Sequence, residues 1–276
     1  MKKGIQEKLD KGIELTVLIR GAGEMAIGVA HRLHQSHFKV CMLEIPHPIA
    51  VRREVSFCEA IYEGEKEVEG VRSKFVSKPE KIRSAWQEGK IPILVDPYGE
   101  KTRRFIKPDV LVDAIMAKKN LGTHIKKAPL VIGLGPGFYA EKDVHIVIET
   151  NRGHDLGRLI LEGAAEPDTG IPGNIGGYTV ERVLRTMKKG VFRPQRWIGD
   201  RVNKGSVVAV VDDFPVIAKI SGFVRGLIRE GVEVRKGMKV GDIDPRGKRE
   251  FCFTISDKAR AIGGGVLEAI LYWFNR

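Results

Sequence analysis

The run Glu149-Thr150-Asn151-Arg152-Gly153-His154-Asp155-Leu156-Gly157-Arg158 places two carboxylates, a hydroxyl, an imidazole and two guanidiniums within ten residues. Carboxylates and imidazoles are common proton carriers in enzymes, and guanidiniums bind anions through paired hydrogen bonds. Glycine and proline at this density usually mark turns, but turns alone do not account for Glu149, Arg152, His154, Asp155 and Arg158 together. The run therefore reads as a site. Upstream, Gly133-Leu134-Gly135-Pro136-Gly137 can set successive backbone N–H groups into a concave nest for an anion. Downstream, Thr169 to Gly177 reads as a flexible loop, closed by a helix expected from Tyr178 to about Thr186. His145 and Glu149 lie four apart, a spacing that matches no standard metal signature, and no metal is expected.

A second candidate lies near the start. The apolar run Leu15 to Ile19 stops at Gly21-Ala22-Gly23, and a helical pattern begins at once. In such a strand–turn–helix the first glycine permits the tight turn and the second lets a phosphate approach the backbone. Free N–H groups of the helix then attract the anion. The next apolar run ends at Glu44, 23 residues after Gly21, where a ribose-binding carboxylate would sit. Pro46 and Pro48 then enforce an extended loop that opens into Arg52 and Arg53 near the same edge.

These groups need a scaffold. The first helix is expected over Glu24 to Ser36, with Ala26, Val29, Ala30 and Leu33 on its packed face. His31, His34 and His37 on that helix lie largely off that face and lack nearby acidic companions, so they read as surface residues. Further apolar runs at 75–76, 91–96, 109–114, 130–132 and 144–148 alternate with helical or loop patterns, among them a helix over Pro79 to Glu88. Near-continuous apolar strands alternating with helices predict a Rossmann-like parallel sheet covered on both faces, with ligands at the carboxyl ends of its strands. Asp96, Asp113, Gly133 and Glu149 would occupy such ends.

The chain has 276 residues, 42% hydrophobic and 30% charged, with a net charge of +12, which favours anionic partners. A phosphorylated small molecule or an acidic protein explains that charge better than nucleic acid does, because no nucleic-acid module or aromatic–basic stacking motif is present. Lys2 and Lys3 resemble a signal-peptide start, but charges continue to Glu14 and the apolar run that follows is too short for a signal or membrane helix. The expectation is a cytoplasmic protein, with no membrane partner. Cys41, Cys58 and Cys252 form no CxxC pair and read as buried small hydrophobes rather than reactive thiols.

From Ile198 an internal repeat appears. Residues 198–212 echo 230–244 at an offset of 32, with matches at Gly199/Gly231, Val202/Val234, Lys204/Lys236, Gly205/Gly237, Val208/Val240 and Asp212/Asp244. This pattern resembles the biotinyl/lipoyl-type barrel sandwich. At the place where carriers of that type modify a lysine stands Asp212-Asp213-Phe214-Pro215, so a docking or scaffold role is expected rather than a swinging arm. The tail then reads as a strand over Phe251 to Ile255 and a helix over Lys258 to Phe274. That helix carries Gly263-Gly264-Gly265, so another backbone must approach it closely or the helix starts only at Val266.

Taken together, Arg20 to Gly28, Arg52-Arg53-Glu54-Val55-Ser56-Phe57, Gly133 to Phe138 and above all Ile148 to Gly157 resemble the YqeB family. That family comprises accessory proteins of selenium-dependent molybdenum hydroxylases, distantly related to the XdhC maturation factors. The resemblance covers nearly the whole chain. Glu24 and Ile27 depart from the Asp and Thr frequent in the family, and Tyr139 and Glu141 from its small residues.

The resemblance implies a role in maturing a molybdenum hydroxylase, by binding or modifying its molybdopterin-type cofactor or helping install the selenium ligand. Gly21, Gly23 and Gly28 would shape a phosphate site, with Gly133, Gly135 and Gly137 as a second cradle. Glu44 would hold a ribose hydroxyl of a nucleotide form. Arg52, Arg53, Arg152 and Arg158 would clamp anionic groups, while Glu149, His154 and Asp155 would bind the pterin or transfer protons. The client hydroxylase would be the protein partner, and a homo-oligomer is compatible with this reading. The main alternatives are an NAD(P)-dependent oxidoreductase with His154 as proton carrier, and a non-catalytic nucleotide-binding scaffold. The expected division is a Rossmann-like domain over 1–127, a glycine-rich site region over 128–196, the barrel-sandwich module over 197–247, and a strand and helix over 248–276 returning to the α/β body.

Overall fold

The computed structural model describes residues 15–275, so the charged segment from Lys2 and Lys3 to Glu14 lies outside the described residues. The chain divides into two units. One comprises residues up to Pro48, Phe57–Asp168 and Ile255 onward; the other comprises Ile49–Ser56 and Thr169–Thr254.

The first unit is built on β1 (Thr16–Arg20), β2 (Lys39–Glu44), β3 (Glu65–Val68), β4 (Val71–Phe75), β5 (Ile91–Val95), β6 (Val110–Asp113), β7 (Leu130–Leu134), β9 (Ile146–Ile148) and β10 (Leu159–Ile160). They form one nine-stranded sheet of order β10-β9-β7-β6-β1-β2-β5-β4-β3. A separate small ribbon pairs β8 (Tyr139–Ala140) with β11 (Gly163–Ala164). The helices are α1 (Glu24–Gln35), α2 (Ala60–Glu63), α3 (Ile82–Gln87), α4 (Glu100–Ile106) and α5 (Asp257–Phe274). The order in which strands are added reverses at β1, which runs parallel to both neighbours: the chain builds outward to β2 on one side, then returns to β6 on the other. The β1 and β6 loops therefore meet at a topological switch point, the place where open α/β sheets hold ligands.

Alternation of side chains sorts the apolar strands onto two faces. Leu18, Cys41, Leu43, Leu94, Leu111, Val131 and Val147 pack in one cluster with Ile82 and Ala85 of α3. Val17, Ile19, Val40, Met42, Val112, Ile132 and Ile146 are buried on the other face, which α1 and α5 cover. The glycines of α5 lie inside the helix, and the close approach they permit is real. A Cβ on Gly263 would stand 2.3 Å from the Gly28 oxygen, and one on Gly28 2.2 Å from the Ala259 oxygen. Ser256 caps α5 by accepting from the Ala259 N–H at 3.2 Å.

The second unit has β12 (Val183–Arg185), β13 (Gly190–Pro194), β14 (Arg201–Val202), β15 (Val207–Val211), β16 (Phe214–Ile217), β17 (Gly222–Leu227), β18 (Glu233–Val234) and β19 (Lys239–Asp244). Two four-stranded sheets result, β12-β19-β17-β14 and β16-β15-β13-β18, antiparallel throughout. The 32-residue repeat is visible as a strand exchange. β13, β14 and β15 correspond to β17, β18 and β19, yet β14 pairs with β17 and β18 with β13. The symmetry reaches beyond the sequence matches: Gly190 packs against Asp212 as Gly222 packs against Asp244. Phe192, Val208, Val224, Val240 and Ile243 are among the residues of its core.

The expected fold class is corrected in both halves. The large sheet is mixed, since β3 and β10 run antiparallel to their neighbours. It also lacks the alternating helices of a Rossmann-like parallel sheet, because no α-helix joins β6 to β7 or β7 to β9. The C-terminal α5 covers those strands instead. The second unit is not the compact 197–247 biotinyl/lipoyl-like barrel sandwich expected. It recruits β12, β13 and the 49–56 segment, and consists of two antiparallel sheets. Two local expectations also change. Residues 178–186 hold β12 rather than a helix, and 249–252 form a short 3-10 turn where a strand was expected. Among the described residues, no helix is long and apolar enough to cross a membrane.

Candidate functional site

Gly21 adopts φ +93°, and a Cβ there would meet the Ala114 oxygen at 3.0 Å and the Ile115 Cα at 3.1 Å. Glycine is thus required where the β1 loop passes the loop after β6. The Glu44 carboxylate, expected to face a ribose, accepts from the Ala22 N–H and from the Ile45 N–H, each at 2.9 Å. Burial pushes its pKa up, against the pull of those two N–H groups. Gly23 is the N-cap of α1 and supplies no side-chain cap, so N–H groups of the first turn remain for a ligand. Gly28 lies in the middle of α1, at its crossing with α5, and serves helix packing.

The 149–158 run divides by direction. Glu149 turns inward: one carboxylate oxygen accepts from the N–H groups of Thr150 and Asn151 at 2.8 and 2.7 Å, the other from Glu166 at 2.8 Å. It is an anchor that folds its own loop. Arg152 reaches α5 and forms a bidentate pair with Asp257 at 2.6 and 2.9 Å. His154 is exposed, and Asp155 pairs with the exposed Arg158 at 3.1 Å. These three do not converge with Glu149.

What Arg152 does converge on was not singled out by sequence reasoning. Lys258, in the first turn of α5, is largely withdrawn from solvent. Burial and then the Arg152 guanidinium lower its pKa; Glu24 and Glu149 oppose that, and Lys118 adds to the lowering. Arg152 pairs with Asp257, the residue before Lys258, so the 149–158 loop meets the first turn of α5. Lys118 also pairs with Asp168 at 2.5 Å. The one sequence signal for Lys258 was its place just after the Ser256 cap.

The remaining candidates are placed elsewhere. Gly133 packs under the Phe138 ring, and a Cβ on Gly135 would collide with Thr150 Oγ1 at 2.2 Å. The Gly135 N–H donates to the Ile148 oxygen at 2.9 Å, and Gly137 packs on the Lys119 backbone. This stretch is therefore shaped by close packing. Arg52 and Arg53, expected to clamp a ligand, belong to the second unit. Arg52 donates to the oxygens of Phe251 and Thr254, both at 3.0 Å, and Arg53 to that of Leu227 at 2.8 Å. Their donors hold loops together.

The three cysteines are buried, and burial pushes the Cys41 thiol up strongly and the Cys252 thiol to about 11. His145 accepts from the Val131 N–H at 2.9 Å and stacks edge-on against Trp273, with burial lowering its pKa. Its role is structural. Among the described residues, no group of three His, Cys, Asp or Glu is arranged to hold a metal ion.

No family model matches this chain. An uncharacterized protein named YqeB, from Escherichia coli strain K12, is 48% identical over 255 residues, which are 92% of this chain and 47% of that protein. The match supports the YqeB family resemblance, and the chain spans about half the length of this curated relative. Solved structures similar to it include an aspartoacylase family protein of Mesorhizobium loti, 12% identical over 83% of this chain and 85% of that one, with a TM-score of 0.28. An ectoine utilization protein EutE of Ruegeria pomeroyi is 12% identical over 84% and 86%, with a TM-score of 0.25. A succinylglutamate desuccinylase/aspartoacylase of Rhodobacter sphaeroides is 12% identical over 82% and 86%, with a TM-score of 0.24. At TM-scores below 0.3 they carry no argument about function.

Proposed function

We propose that this YqeB-like chain binds a phosphorylated, anionic cofactor at the first turns of α1 and α5 and serves in the maturation of a selenium-dependent molybdenum hydroxylase. What supports the binding half is the first turn of α1, which has no side-chain cap and opens at the switch point beside β1 and β6, with Arg152 held at the first turn of α5 by Asp257. The maturation half rests on the family resemblance of the 148–157 run, and a molybdopterin-type cofactor, in free or nucleotide form, has the required charge. A client hydroxylase is the protein partner in this reading. Glu149 orders the loop that carries Arg152, and Asp257 aims the guanidinium.

Native purification without added ligand, followed by mass spectrometry, tests the proposal. A phosphorylated pterin retained by the wild type and lost in Lys258→Met supports it. Retained NAD(P) with substrate-dependent nicotinamide absorbance overturns it.

A further inference from the structure

In the second unit, one copy of the 32-residue repeat shows what the fold demands of the other. Core positions agree: Val208, Ala209 and Val211 of β15 correspond to Val240, Gly241 and Ile243 of β19, and all are buried. The other two positions do not. Where β19 carries Lys239 and Asp242, β15 carries Val207 and Val210. Asp242 and Asp244 lie 4.0 and 3.6 Å from buried Arg225. The counterpart of Arg225 is Arg193, which is exposed and, among the described residues, makes no ion pair or side-chain hydrogen bond. Register sets Arg193 opposite Val210, Val210 opposite Pro215, and Val207 opposite Ile217. These five residues therefore share one face of the β13-β15-β16 ribbon.

The solvent face of an antiparallel sheet ordinarily turns polar. Here β15 and β16 hold no polar side chain at all, and Val207 and Ile217 are 39% and 47% exposed. β16 is also the edge of its sheet. A two-residue turn closes it on β15 with Val211 opposite Phe214, so Pro215 faces its backbone away from β15 and offers no N–H to a further strand. Edge-to-edge growth is blunted; the apolar face is not. We infer that this face docks an acidic, apolar segment of a partner protein, whose carboxylate meets Arg193 as Asp242 and Asp244 face Arg225 in the other copy. Charge favours that occupant over a second copy of the chain. Residues 49–56 and 169–254 hold 19 Lys and Arg against 10 Asp and Glu. Exposed Arg196, Lys204 and Lys219 lie in the segments that join β13, β15 and β16 to their neighbours, against Glu233 on β18 and Asp213 at the hairpin tip. The inference does not depend on the anion site.

Fluorescence anisotropy on the full chain tests it, with a labelled peptide whose valine-rich centre is flanked by glutamates. The wild type binds this peptide, and added salt weakens the complex by screening the charges. Ile217→Thr and Arg193→Gln each weaken binding about fivefold or more. Both side chains are exposed, so both variants melt within about 2 °C of the wild type. A peptide with serines in place of the valines, or lysines in place of the glutamates, binds at least about fivefold more weakly. A wild type that does not bind, equal binding of either control peptide, or wild-type affinity in either variant overturns the inference. A dimer in sedimentation that Ile217→Thr dissolves overturns it in favour of a second copy. A single-stranded oligonucleotide bound more tightly than the peptide, and weakened by Arg193→Gln, overturns it in favour of nucleic acid.

Discussion

Lys258 gives the site a pH signature with a definite sign. Its pKa is lowered, so over the window between that value and the ordinary lysine range near 10.4 the unfolded chain binds the extra proton. The ligand-free protein therefore gains stability as pH rises through this window. Anion binding does the opposite, because the ammonium is lost on the way. Pyrophosphate affinity is expected to fall at lower pH than an ordinary lysine would dictate, and Lys258→Arg to flatten the profile, as calorimetry at stepped pH would read. Glu149 behaves differently. Glu149→Gln replaces one carboxylate oxygen and leaves at least one of three N–H groups, one in a buried and two in part-buried hydrogen bonds, poorly matched, costing about 1–3 kcal/mol in urea unfolding. The sequence singled out both Glu149 and Arg152 as site candidates. It could not tell an inward anchor from a ligand-facing base, because the direction of a loop side chain depends on what packs behind it.

At the scale of elements, the contact between α1 and α5 decides where the two helix amino ends lie. Gly28 and Gly263 face each other across it, and Ala259 leaves no room for a larger residue at 28. Gly28→Leu should push the helices apart and cost about 1–3 kcal/mol or more. Thermal unfolding would read that loss, and pyrophosphate affinity should fall with it, because Lys258 travels with α5. The glycine run of α5 was legible as a demand for close approach, and α1 was legible from its apolar spacing. That the two demands answer each other was not, since nothing local links residues so distant in sequence. The helix expected at 178–186 failed for a related reason: the pairing of β12 with β19 outweighs a local helical preference.

At the scale of the whole molecule, the second unit buries a charge network among its antiparallel strands. Arg182 pairs with Asp242, and Arg225 lies 4.0 Å from Asp242 and 3.6 Å from Asp244. Asp242→Asn leaves buried guanidinium charge uncompensated and is expected to cost about 3–5 kcal/mol by chemical denaturation. Burial alone would raise the pKa of Asp244, but hydrogen bonds from Arg246, with its charge and that of Arg225, bring it below the usual carboxylate value. The stability this contributes is complete above the unfolded value near 3.9 and is lost as pH falls through the lower folded value. Asp244→Asn should remove that part of the acid sensitivity, which unfolding curves below pH 4 would show.

Local pattern determined what depends on neighbours along the chain. The apolar strands, the span of α1, the 32-residue repeat and the loops rich in charge were all readable, because hydrophobic period and turn chemistry act over a few residues. The tertiary structure alone decided which strands run against their neighbours, that α5 stands in for missing crossover helices, and that Arg52 and Arg53 hold loops of another unit. It also decided that Arg152 meets the first turn of α5 through Asp257. Charges gather through backbone contacts between distant segments, and those contacts exist only once the sheet has brought the segments together.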